Sequence, residues 1–364
     1  MNKSKSQIKI GITLGDYNGV GPELILKVFE DIRMLSLCTP IVYGSSRILS
    51  FYRKLGSMEK FQFQIIPGVQ QAHPGHLNLI ECIPNADKEK VEPGTPSQAS
   101  GKAAFLSLQA AMKDLKEGKL DAMVTLPIDK STIQSAEFPF PGHTEYLSNQ
   151  FQNAETLMVM VYESLRVATI TGHLPLSEVA DALTQEKILK KLRVLQQSLK
   201  IDFNIQKPTI ALLGLNPHAG DNGLLGKEDQ EKIRPAIEKA FSEGMLVKGP
   251  YPADGFFAHG AYENADAIVA TYHDQGLVPF KLLAAGKGVN YTAGLPIIRT
   301  SPDHGTAYDL AGKFIVDESS TRNAIFLALD IYSTRSENLS LVSGALRGKV
   351  PEELMREDEV ALGE

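Results

Sequence analysis

The feature that most narrows what this chain can become is the way two periodicities alternate along it. IKIGITLG (Ile8–Gly15) is a short apolar run with β-branched residues. A glycine-rich turn separates it from PELILKVFEDIRML, whose apolar positions recur at helical spacing with Pro22 near the first helical position. The pattern then repeats. CTPIVYGS predicts a strand, SGKAAFLSLQAAMKDLKEGK (Ser100–Lys119) a long helix and LDAMVTLPI another strand. LMVMVYESLRVATITGHLPL predicts two strands joined by a short turn, and SEVADALTQEKILKKLRVLQQSLKI one or two amphipathic helices. PTIALLGLNPHAG reads as a strand leaving into a loop, and QEKIRPAIEKAFSEG as a helix interrupted early by Pro235. NADAIVATYHDQG is again a strand, and TRNAIFLALDIYSTRS a closing helix. Such alternation predicts α/β architecture, a largely parallel sheet flanked by helices.

The 364 residues allow roughly two domains. No internal repeat or low-complexity linker marks a boundary, and VEPGTPSQAS (Val91–Ser100) is the most loop-like stretch. The formal charge of −6 comes without any block of Lys or Arg, which argues against a nucleic-acid partner. Two cysteines, Cys38 and Cys82, make no disulfide framework and fit a reducing cytoplasm. The polar start MNKSKSQ lacks the apolar core of a signal peptide, and no apolar run approaches the ~18 residues of a membrane span.

Three of the eight histidines share a setting. His173 follows RVATITG, His218 follows TIALLGLNP and His273 follows AIVATY, each just beyond a strand that reads as buried. Ligand crevices of open α/β sheets lie outside the carboxyl ends of strands. Three imidazoles delivered there could share a divalent metal, or each could be bonded locally. GDYNGVGPE (Gly15–Glu23) is either an anion-cradling turn or a tight turn into a helix; it matches neither G-x-G-x-x-G nor the P-loop pattern. PGHTEYL places His143 and Thr144 either as paired donors to a phosphate or hydroxyl, or as a helix start. Lys281, Asn290 and Arg299 stand in an otherwise apolar or glycine-rich segment, as anion ligands or as solvated surface charge. DHGTAYDLAG (Asp303–Gly312) could line a nucleotide site or be a turn before a helix.

Taken together and in order, GDYNGVGPE, TLPIDK, FPGHTEYL, TGHLPL, LGLNPHAG, YPADGFF, TYHDQGL and VNYTAGLPIIRTSPDHGTAYDLAG resemble the 4-hydroxythreonine-4-phosphate dehydrogenase family of vitamin B6 biosynthesis. The resemblance runs from about Ile8 to the C-terminal helix. It implies a two-domain isocitrate/isopropylmalate dehydrogenase-like fold, with residues 1–130 and 297–364 in one α/β domain. Residues 131–296 would form the second, carrying metal ligands and dimer interface. It implies a cytoplasmic homodimer with active sites at the subunit interface. Carried over residue by residue, His173, His218 and His273 match the ligands of one divalent metal (zinc, magnesium or cobalt), shared between subunits. His143, Thr144, Lys281, Asn290 and Arg299 match substrate-binding positions. His304, Gly305, Thr306 and Asp309 match a loop that holds NAD or NADP. Asp254 and Lys281 are the catalytic candidates. Tyr17–Asn18 and Asp129 depart from the usual family pattern.

The implied reaction is oxidation of 4-phosphooxy-L-threonine by NAD followed by decarboxylation to 3-amino-2-oxopropyl phosphate. A sibling activity on threonate or erythronate 4-phosphate is the nearest alternative. A metal-dependent hydrolase and a non-catalytic metabolite-binding protein are more distant ones.

Overall fold

The computed structural model describes residues 8–84 and 90–345, with the side chains of 341–345 excepted. The polar start MNKSKSQ and the tail 346–364, which the sequence reading placed in the first domain, lie outside the described residues. Among the described residues, twelve strands form one sheet. They are β1 (Lys9–Thr13), β2 (Thr39–Gly44), β3 (Gln64–Ile65), β4 (Asn78–Glu81), β5 (Ala122–Thr125) and β6 (Leu157–Tyr162). The rest are β7 (Leu165–Thr169), β8 (Thr209–Leu213), β9 (Leu246–Tyr251), β10 (Ala267–Ala270), β11 (Val289–Ala293) and β12 (Arg299–Pro302).

Their spatial order is β3-β4-β2-β1-β5-β12-β11-β6-β7-β10-β8-β9. The β12–β11, β11–β6 and β6–β7 pairings are antiparallel; every other pairing among the described strands is parallel. The architecture is therefore α/β with a mixed, largely parallel sheet. Three reversals lie between the two parallel blocks, so the blocks point in opposite directions. Consecutive wholly buried residues in β2, β5 and β10 fit strands covered on both faces.

Most elements fall where the periodicity put them. The long helix spans Gln98–Lys116, capped by Ser97, whose Oγ accepts the Ser100 N–H at 3.1 Å. The 176–201 region resolves into two helices, Leu176–Ala182 and Gln185–Ile201. Pro235 sits at the start of the Arg234–Ser242 helix, which a wide turn at Asp229–Ile233 precedes. The strand of NADAIVATYHDQG ends at Ala270, and His273 opens the helix His273–Ala284, which the sequence reading had not separated. Asp129, one of the departures from the family pattern, caps the Lys130–Ile133 turn by accepting the Ser131 and Thr132 N–H groups at 2.8 and 3.1 Å.

GDYNGVGPE proves to be a clamp. Gly15 holds φ +68°, and a Cβ there would lie 2.4 Å from the Pro127 carbonyl oxygen. Asp16 is fully buried and its carboxylate gathers four chain segments. It accepts the Asn18 N–H (2.9 Å) and the hydroxyls of Ser100 (2.8 Å), Tyr308 (2.9 Å) and Thr132 (3.3 Å). Burial raises its pKa, with those bonds opposing. Glu23, also fully buried, accepts the N–H groups of Gly312 and Phe314. Pro22 starts the Gly21–Glu30 helix as expected. The loop thus holds the 303–314 segment in place through carboxylates of its own. Asp16→Ala would strand the Tyr308 hydroxyl and the Asn18 N–H, and should lower stability by about 2–4 kcal/mol in urea unfolding; an unchanged midpoint would contradict this role.

Candidate active site

A cavity of about 280 Å3 opens over the antiparallel centre of the sheet. Asn290 of β11 is the register partner of Met160 of β6 and of Ser301 of β12, so these side chains share one face. All three line the cavity, together with Arg299 and Met158. The helix His143–Gln150 supplies His143, Thr144 and Glu145, and the helix His273–Ala284 supplies His273 and Lys281. The loop after β12 adds Asp303, His304 and Gly305, and the loop after β5 adds Lys130.

The electrostatics centre on Arg299, which is 2% exposed. Its Nε and Nη2 donate to Thr125 Oγ1 on β5 at 3.0 and 2.6 Å, and its Nη1 donates to Thr292 Oγ1 on β11 at 3.0 Å. These acceptors are neutral hydroxyls. Burial lowers the guanidinium pKa to about 10, with Glu145 opposing, so the group stays charged at neutral pH. A buried cation bonded only to hydroxyls, facing a cavity, is a seat for an anion. His143 Nε2 and Asn290 Oδ1 line the same cavity and are buried without a hydrogen-bond partner among the described residues. His143 as a residue is only partly covered, but its ring nitrogen is not, and its pKa lies well below the usual value through burial and then Arg299. Lys281 is exposed and donates to the Asp303 carbonyl at 3.2 Å.

The His173 and His273 rings meet across the cavity wall, with centroids 5.8 Å apart. His273 Nδ1 lies 2.7 Å from Asp274 Oδ1; with Nδ1 donating, Nε2 keeps its lone pair for a ligand. His173 is held below the usual histidine pKa by burial, Lys130 and His273, with Glu145 opposing. His218 does not reach this cavity. It is exposed on the turn Pro217–Gly223. Among the described residues, no three His, Cys, Asp or Glu side chains converge within one chain.

The strands bearing the three histidines are nonetheless consecutive and parallel, in the order β7, β10, β8. A hydrogen-bond chain laces their carboxyl ends. Thr171 Oγ1 donates to the Thr271 carbonyl (2.7 Å), and the Thr271 hydroxyl to Gln275 Oε1 (2.9 Å). Gln275 Nε2 then donates to the Gly214 carbonyl (2.6 Å). Asp254 is exposed on the helix Ala253–Ala258, which packs against the His218 turn. Thr306 and Asp309 lie outside the cavity lining; the Thr306 carbonyl accepts the Val20 N–H at 3.0 Å, and Asp309 is exposed. His304 and Gly305 do line it, and His304 Nε2 is buried and unpartnered among the described residues.

Sequence reasoning gave no role to Lys130, Glu145, Asp303 or Thr125, nor to the lacing residues Thr171, Thr271 and Gln275. TLPIDK and PGHTEYL contained three of them, Thr125, Lys130 and Glu145, but nothing local marks a side chain whose partner is a distant strand.

Comparison with known proteins places this site in context. A family model described as pyridoxal phosphate biosynthetic protein PdxA matches residues 36–328. A 4-hydroxythreonine-4-phosphate dehydrogenase of Bacteroides thetaiotaomicron is 46% identical over 359 residues, covering 98% of each chain. A protein of Oceanobacillus iheyensis with a provisional name as a D-threonate 4-phosphate dehydrogenase is 39% identical, covering 90% of this chain and 98% of that one. A solved 4-hydroxythreonine-4-phosphate dehydrogenase from Klebsiella pneumoniae superposes with a TM-score of 0.80 at 35% identity, covering 91% and 99% of the two chains.

The depressed histidines carry a pH consequence. Unfolded histidine takes up its proton near about 6.5, whereas His143 and His173 resist it when folded. The unfolded state therefore binds more protons in that range, and stability should fall as pH drops from about 7 to about 5. Urea unfolding should show a shallower fall for His143→Gln than for the wild type; identical pH dependence would remove His143 from this account.

Proposed function

Because the chain belongs to the pyridoxal phosphate biosynthetic protein PdxA family, we propose that it is the NAD-dependent dehydrogenase that oxidises and decarboxylates 4-phosphooxy-L-threonine, a step in pyridoxal 5′-phosphate biosynthesis. The observation that supports this best is one cavity holding both chemistries: a buried, hydroxyl-bonded Arg299, and the paired imidazoles of His173 and His273, the latter with Nδ1 held by Asp274.

The substrate carries two anionic ends and a secondary hydroxyl β to its carboxylate. Arg299 and Lys281 neutralise an anionic end, and His143, Thr144 and Asn290 complete its hydrogen bonds. This fixes the hydroxyl-bearing carbon toward His173 and His273. The histidines suit a divalent metal: His173 resists protonation, His273 has its tautomer set by Asp274, and His218 rides on the adjacent strand. When bound, the metal supplies electrophilic stabilisation of negative charge on the reacting oxygen, and the nicotinamide accepts hydride. His304 and Gly305 stand at the cavity mouth for the cofactor, with Thr306 and Asp309 on the same loop. Asp254 and Lys281 are the proton-handling candidates. Oxidation yields a β-keto acid, whose loss of carbon dioxide gives 3-amino-2-oxopropyl phosphate.

We also propose that the site is completed by a second copy of the chain, within a two-domain organisation divided near residues 130 and 297. Leu176 (73% exposed), Leu224 (79%) and Leu282 (77%) stand within a few residues or turns of the three histidines. Apolar groups so exposed around a polar site suit burial by a partner of like surface. No helix among the described residues is long and apolar enough to cross a membrane.

Adding 4-phosphooxy-L-threonine and NAD should raise absorbance near about 340 nm, and a chelator should suppress the rise. Threonate or erythronate 4-phosphate turned over faster than the amino acid would favour the sibling activity, which the Oceanobacillus iheyensis relative's name suggests. Arg299→Lys should raise KM for the phosphorylated substrate by about 10–100-fold, since a lysine cannot reproduce the forked bonds; an unchanged KM would refute the anion seat. Leu282→Asp should shift sedimentation toward monomer and lower activity with it.

A further inference from the structure

The turn that carries His218 is built against the intrinsic preference of the chain. His218, Ala219, Gly220, Asp221 and Asn222 all have positive φ, at 53°, 53°, 80°, 41° and 55°. Four of these are L-residues with side chains, for which a run of left-handed conformation is sterically disfavoured. Such a run persists only when its surroundings impose it, and strain of this kind collects at functional positions.

What imposes it is Asp229. This carboxylate is fully buried. Its Oδ1 accepts the Leu215 N–H at 2.8 Å, and its Oδ2 accepts the Asn216 N–H at 3.1 Å and the Asn216 amide Nδ2 at 3.0 Å. It is also wedged between the two limbs of the loop. A Cβ on Gly214 would lie 2.8 Å from Oδ1, and one on Gly220 would lie 3.3 Å from Oδ2. The entry of the turn is thus pinned by three N–H donors to one carboxylate, and its middle is packed against the same group. The entry is tied to the His273 helix as well, through Gln275 and the Gly214 carbonyl.

We propose that Asp229 is the positioning residue for His218: it forces the left-handed turn that presents this imidazole, oriented in advance, beside the strand ends of His173 and His273. The proposal rests on the reading of His218 as a metal ligand. A residue that merely helped the loop fold would affect stability. Asp229 as a positioning residue sets metal affinity through His218 alone.

The test measures Co2+ binding by the full-length apo-protein, in competition with a chromophoric chelator, with circular dichroism and sedimentation as controls for fold and assembly. Asp229→Asn should weaken Co2+ binding at least tenfold. Adding Asp221→Gly should recover at least threefold of that loss, because glycine takes the left-handed region without steric cost and Asp221 is exposed. In a His218→Ala background, Asp229→Asn should weaken binding no further. Should Asp229→Asn fail to fold, Asp221→Val puts a β-branched residue at a left-handed position on the surface, and should weaken Co2+ binding without touching Asp229. Wild-type affinity in Asp229→Asn or Asp221→Val, or an equal loss with and without His218, overturns the proposal. Wild-type affinity in His218→Ala overturns the ligand reading itself, and the positioning role falls with it.

Discussion

A guanidinium in the middle of a sheet is the constraint on which the rest of this molecule turns. Arg299 projects from β12, and its bonds go to hydroxyls on the strands either side, Thr125 of β5 and Thr292 of β11. Burying such a charge with no carboxylate bonded to it among the described residues, Glu145 acting only through space, is costly, and the cost falls only if an anion arrives or the hydroxyls are held in place. Both demands shape the neighbourhood. The flanking strands must keep register to within a hydrogen bond, and the cavity must stay open in front of the group. The 303–314 segment, whose first residues Asp303, His304 and Gly305 line the cavity, is held through Tyr308, Gly312 and Phe314 by Asp16 and Glu23. A loop that looks like a place to cradle phosphate therefore serves the anion site indirectly, by fixing the wall that faces it.

The second half of the site obeys a different logic. Its histidines are carried past the ends of three neighbouring strands, where no sheet hydrogen bonds remain to fix them. The lacing of Thr171, Thr271 and Gln275 adds side-chain bonds where the backbone bonding between β7 and β10 runs out at Thr171 and Thr271. It reinforces the sheet's last backbone rung, Thr171 N–H to the Thr271 carbonyl, and extends it with side chains toward Gly214. The apolar residues around this rim, Leu176, Leu224 and Leu282, have no equivalent cover among the described residues.

Much of the frame was legible in the sequence, because the signals are local. β1, β2, β5, β6, β7, β8 and β10 each announce themselves as apolar β-branched runs, and the helices between them by their spacing. The least legible part was the centre. β11 and β12 contain Asn290 and Arg299, and Gly294 and Pro296 separate them, so VNYTAGLPIIRTS reads as an apolar, glycine-rich stretch broken by isolated polar residues. Their polarity is the signature of a strand face that lines a cavity, and a one-dimensional pattern does not separate that from a solvated loop. Local context picked out His143, Lys281, Asn290 and Arg299 but left each with an ordinary structural alternative, the family resemblance favoured the binding role, and the structure brings these four to one cavity. His218 is the exception within the single chain. Residues whose partners are remote, such as Asp16, Asp229 and Gln275, carried no readable mark at all.

The three antiparallel steps at the sheet's centre give the fold a parity. With an odd number of reversals between β5 and β7, the histidine-bearing rim opens on the edge from which the first block begins. Removing or adding one central strand would make the number even and carry that rim to the other edge of the sheet. A hairpin gained or lost here keeps the parity, whereas a single antiparallel strand reverses it. The outer strands β3 and β9 are free of this rule, because shortening them changes no polarity. Variation in such a sheet is therefore cheap at its margins and quantised at its middle.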